Sequence, residues 1–200
     1  SSEVADGVIL ATGLALSEDP EEVVTQTVAH VEWLRLPTVT FEVPGQAGAI
    51  LETANPEDSF VPWPGKSLLE QGDELARWLP AETKALVLPG AFTEAMALGL
   101  LSRVSRDGRD LSVVVPDGTH VLMGPEVFQR LVANGVKVYA SRPITLVAVT
   151  VTPTSPQGAT TDPERFLARM REALPDLPVY DLELEMARMA SGRLDGLFRA

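Results

Sequence analysis

The chain of 200 residues contains no cysteine and only two histidines, His30 and His120. The first absence removes disulfides, thiolate metal sites, iron–sulfur clusters and cysteine nucleophiles. The second leaves little room for a histidine-rich metal centre, and no metal site is expected. No run approaches the roughly 20 apolar residues of a membrane-spanning helix, and no signal peptide is expected. The expectation is a cytoplasmic protein with no membrane partner. Basic residues are scarce in the first half: residues 1–100 hold 4 against 16 acidic ones, whereas residues 101–200 hold 12 of each. A net charge of −12 argues against a nucleic-acid partner, because a phosphate backbone would be repelled. The acidic half suits a basic protein partner, or is simply a set of solvated helix faces.

What is present is ordinary globular material. Hydrophobic residues make up 45 % of the chain and mean hydropathy is +0.10, enough to build a core without a staple. The length fits one large domain or two small ones, and a single domain over 1–200 is expected. Short apolar runs at Val8–Ala11, Ala85–Leu88, Leu111–Val115, Val136–Tyr139, Ile144–Val151 and Val179–Leu182 read as strands. Between several of them apolar residues recur at helical spacing. Ser17 reads as the cap of a helix carrying Val24, Thr27, Val28, Val31 and Leu34, with His30 on its flank. Helices are also expected over Ser67–Leu79, from Thr93, over Pro125–Ala133 with Gly135 closing it, and from Asp162-Pro163. Val39–Val43 alternates like a strand, and residues 45–66, rich in proline and glycine, read as a loose surface segment. Strands alternating with helices are the pattern of crossover units. The predicted fold is therefore an α/β layered domain, a mostly parallel sheet flanked by helices.

In such folds ligands sit beyond the carboxyl ends of the strands. Those ends here carry Thr12-Gly13, Pro89-Gly90-Ala91-Phe92-Thr93, Pro116-Asp117-Gly118-Thr119-His120 and Thr152-Pro153-Thr154-Ser155-Pro156. Glycine admits close backbone approach and hydroxyls donate hydrogen bonds, so Gly90, Thr93, Asp117, Thr119, His120, Thr154 and Ser155 form the candidate ligand-binding set. The same residues also serve plain strand-to-helix turns. Asp117 and His120 could form an acid–base pair, or an aspartate turn beside a surface histidine; no sequence-local nucleophile completes a triad, and no catalytic residue is assigned. Pro64-Gly65-Lys66-Ser67 imitates the end of a P-loop, but the required earlier glycine is Phe60, so the motif fails. Phe60 and Trp63 in a proline-bearing segment could anchor a homo-oligomer contact.

Two stretches together carry a family resemblance. One is Asp6-Gly-Val-Ile-Leu-Ala-Thr-Gly-Leu-Ala-Leu-Ser, followed by the helix with Val24 and Thr27. The other is Val149-Thr-Val-Thr-Pro-Thr-Ser-Pro-Gln-Gly, then Asp162-Pro-Glu-Arg-Phe and Val179-Tyr-Asp. Across Asp6 to about Asp181 the chain resembles the C-terminal portion of P-loop reactivase proteins encoded beside adenosylcobalamin-dependent lysine and ornithine aminomutases. That resemblance implies an accessory, non-catalytic domain. It would bind a cobalamin-dependent aminomutase or complete a nucleotide site supplied by an upstream region, with ATP and Mg²⁺ entering only through that region. The other expectation is a stand-alone enzyme or sensor that holds a small anionic metabolite or nucleotide at the strand ends.

Overall fold

The computed structural model describes residues 7–39, 47–52, 59–63, 72–107 and 110–190. The P-loop-like run at Pro64–Ser67, the strand expected beyond Val39 and the chain past Ala190 lie outside the described residues. In chain order the elements begin with β1 (Val8–Gly13), α1 (Pro20–Leu34), β2 (Gly48–Leu51), β3 (Phe60–Pro62), α2 (Gly72–Trp78) and β4 (Thr83–Val87). There follow β5 (Phe92–Thr93), α3 (Glu94–Asp107), β6 (Leu111–Val115), β7 (Val121–Leu122), α4 (Pro125–Ala133) and β8 (Val136–Ala140). The last are β9 (Leu146–Thr152), α5 (Pro163–Ala173), β10 (Val179–Asp181) and α6 (Leu182–Ala190). This is an α/β fold, and no described helix is long and apolar enough to cross a membrane. The chain divides into two compact units, 1–32 with 145–200 and 33–144.

The first unit is a parallel three-stranded sheet in the order β1-β9-β10. In β9, Val149 and Val151 are two residues apart, so they point to one face, and both are buried. They meet Val23, Val24 and Val31 from α1 and Phe166 and Met170 from α5, each set at helical spacing. Burying side chains of this size contributes roughly 1.5–3 kcal/mol each. The hydroxyls of Thr12 and Thr27 also enter this interior and satisfy each other at 2.8 Å, Thr27 donating onward to the Val23 carbonyl. Helix α1 starts later than the Ser17 cap predicts. Asp19 accepts from the Glu21 amide at 3.0 Å, while Ser17 Oγ accepts from the Asp19 amide and donates to the Glu22 carboxylate of the first turn at 2.6 Å.

The second unit has a five-stranded sheet, β3-β2-β4-β6-β8, in which β4, β6 and β8 run parallel and β2 is antiparallel to both its neighbours. Val113, Val114 and Val115 on the interior strand β6 are all buried, as a strand covered on both faces requires. Helix α3 joins β4 to β6 and α4 joins β6 to β8, the crossovers that parallel neighbours need. Gly135 closes α4 at φ +85°, a conformation that favours glycine. The stretch 45–66 contains two strands, β2 and β3. Its prolines permit this because β3 is an edge strand, where Pro62 removes no ladder bond from a central position.

Candidate functional site

The parallel strands β4, β6 and β8 end side by side, and the chain beyond each is tied to the next. Past β4, Leu88 N–H donates to Val114 O at 2.9 Å. The chain then turns at Pro89-Gly90-Ala91 into β5, which pairs in parallel with β7 on the far side of the β6 loop. Past β8, the amides of Ser141 and Arg142 donate to Val115 O and Pro116 O at 2.8 and 2.9 Å, and Ser141 Oγ also donates to Pro116 O at 3.1 Å. Three strand-end loops are thereby held as one surface.

At its centre is Asp117, only 6 % exposed. It caps the short 3-10 turn Gly118–His120: its Oδ1 accepts from Thr119 N at 3.1 Å and from the Thr119 hydroxyl. The same oxygen accepts from His120 Nδ1 at 2.9 Å, and Oδ2 accepts from Arg142 Nη2 at 2.8 Å. Burial pushes the Asp117 carboxyl up, but the hydrogen bonds from Thr119 and His120 outweigh it and hold the group below its ordinary range. An ionised carboxylate can only accept, so Nδ1 of His120 carries the hydrogen and Nε2 is the free nitrogen of the neutral ring. The expected observation is the Nδ1-protonated tautomer in long-range ¹H–¹⁵N spectra of neutral His120. The Nε2-protonated form would remove Asp117 as its acceptor.

The hydrogen bond between Asp117 and His120 and the aspartate turn are therefore both present, built on one carboxylate. Thr93 serves the helix that follows it, since its hydroxyl oxygen accepts from the Met96 amide at 3.4 Å and caps α3. Gly90 fronts open space, because a Cβ placed there meets no atom within 4 Å. Arg142 is a site residue that the sequence pattern does not mark, although Ser141-Arg142-Pro143 stands at a strand end like the candidate loops.

Thr154 and Ser155 belong to the first unit. Thr154 Oγ1 donates to Glu183 at 3.2 Å, and buried Ser155 Oγ accepts from Ala159 N at 2.9 Å, closing a tight turn with Gly158 at φ +89°. Both hydroxyls hold the loop itself. Beyond that loop is a cavity of about 460 Å³, entirely within the first unit, between the start of α1 and the start of α5. Pro20, Val24 and Phe166 form its apolar part, and Thr160, Thr161, Asp162 and Arg165 line the remainder together with the pair Glu21–Arg169. Among the described residues no group of three histidine or carboxylate side chains is placed to hold a metal ion. No protein-family model matches the chain, and neither a curated protein nor a solved structure matches it.

Proposed function

We propose that the second unit binds a small anionic ligand, a metabolite or nucleotide bearing phosphate or carboxylate, at the carboxyl ends of β4, β6 and β8. The observation that carries this reading is the Asp117 clamp. One buried carboxylate holds His120 and Arg142 together at the strand ends, so the Arg142 donors and the His120 ring beside them are ordered before any ligand arrives. Arg142 has most of its guanidinium side chain in solvent, leaving N–H groups for a second anion. Of the hydroxyls nearest the clamp, Ser141 donates to the Pro116 carbonyl and so holds the loops together, and Thr119 donates to the Asp117 carboxylate and so holds the turn.

Calorimetry with inorganic phosphate, ATP and glucose 6-phosphate tests it. At least one should give saturable heat, and Arg142→Gln should weaken that binding by about 10- to 100-fold, the scale of a hydrogen bond to a charged group. Gly90→Ala should leave stability within about 0.5 kcal/mol, because the methyl enters empty space, yet weaken the same binding by filling the ligand's approach. Heat from none of the three, or heat indifferent to Arg142→Gln, removes the reading.

The resemblance to reactivase subunits supports a second reading, an accessory domain docking on a cobalamin-dependent aminomutase. Failure of the intact protein to co-purify with the aminomutase would count against it.

A further inference from the structure

We propose that the cavity of the first unit binds a small zwitterion with an apolar side chain, of the α-amino-acid type. The volume of about 460 Å³ is in the range of small-molecule sites. The cavity's charges decide the ligand class. Arg169 is spent: its Nε and Nη2 donate to the two carboxylate oxygens of Glu21 at 3.1 and 2.9 Å, and its Nη1 donates to Glu172. Glu21 and Arg169 thus pair across α1 and α5, Arg169 being shared with Glu172 and Glu21 also feeling the charge of Arg165.

Two charged groups keep hydrogen-bonding capacity for a ligand. Arg165 makes no hydrogen bond through its guanidinium among the described residues. Asp162 uses Oδ1 to cap α5, accepting from the amides of Glu164 and Arg165 at 3.0 and 3.2 Å, which leaves Oδ2 open. The hydroxyls of Thr160 and Thr161 line the same wall. A simple anion would pair with Arg165 but face the Asp162 and Glu21 carboxylates. A simple cation would pair with Asp162 but face Arg165. A ligand carrying both charges satisfies both, and leaves none unpaired when water is displaced. Buried Val24 and Phe166, beside Pro20, offer an apolar surface for the rest of the molecule.

Three probes with one branched carbon skeleton separate the possibilities: L-leucine, 4-methylpentanoate, which lacks the ammonium, and 3-methylbutylamine, which lacks the carboxylate. Each is titrated into the ¹⁵N-labelled full chain, with the amides of Thr161, Arg165 and Phe166 as reporters. L-leucine should give saturable shifts there, with each single-charge analogue at least about tenfold weaker, the value of one charge-assisted hydrogen bond. Arg165→Gln should weaken L-leucine by about tenfold while amides remote from the cavity stay in place, because Arg165 is exposed at the surface and its loss opens no void in the core. Arg165→Lys should restore part of the affinity. No saturable shift up to the solubility of L-leucine overturns the proposal. So does 4-methylpentanoate binding as tightly as L-leucine, which would make the cavity a plain anion site, or L-leucine binding unchanged in Arg165→Gln.

Discussion

Gly118→Ala is expected to destabilise the protein by about 3 kcal/mol or more, lowering its melting temperature by roughly 6–12 °C for a chain of this size. The reason is a close approach of two backbones. A Cβ at Gly118 would overlap the carbonyl oxygen of Trp33 and lie 2.6 Å from Leu34 Cα, where the end of α1 passes the Asp117 turn. Neither contact is the tip of a flexible side chain, so relief requires moving either α1 or the turn. Moving the turn detaches Thr119 and His120 from Asp117. Moving the end of α1 disturbs Trp33, whose ring packs at 5.3 Å against Phe128 of α4. Either response should appear in the near-ultraviolet circular dichroism of the tryptophans. The dihedrals of Gly118 are not in the left-handed region, so the effect is one of space. Gly90→Ala makes the same chemical change where a Cβ meets nothing, and it serves as the internal control. A Gly118→Ala protein within about 1 kcal/mol of the parent would show that the two backbones separate readily.

How far the residues announce this arrangement depends on how local the cause is. The β4 and β6 strands are legible because runs such as Leu111-Ser-Val-Val-Val suit a strand buried on both faces. The caps of α3 and α5 are legible because Thr93 and Asp162 act within three residues of themselves. The aspartate turn at Asp117 is equally local. By contrast, β2 has four residues and β3 three, and their antiparallel pairing crosses a stretch whose prolines and glycines dominate the pattern. Arg142 reaches Asp117 from 25 residues away, so nothing near it in the chain marks it. Arg165 looks like any solvated residue on the polar face of α5. Only the cavity between α1 and α5 sets it apart.

Asp117→Asn is the other substitution with a large expected effect, and its pH dependence identifies the cause. Asparagine keeps the shape of the side chain but removes the charge that binds Arg142 and His120, at an expected cost of about 2 kcal/mol at neutral pH. Asp117 titrates below its ordinary value in the folded protein, so on acidification the unfolded chain takes up this proton first. The stability it supplies is therefore fully present above about pH 4 and drains away as pH falls through the folded value. Denaturant unfolding of the two proteins side by side isolates this group, because the other carboxylates titrate in both. The gap between them should be constant from about pH 7 to pH 5 and narrow steadily below pH 4. His120→Ala removes one donor and Arg142→Gln the charge of the other. Each should cost less than Asp117→Asn, since the carboxylate keeps its remaining partners, including the Thr119 amide. A gap that stays constant to the lowest pH at which both proteins fold would mean that the turn depends on the shape of residue 117 and not on its charge. The preorganised Arg142–His120 pair at the strand ends would then lose its physical basis.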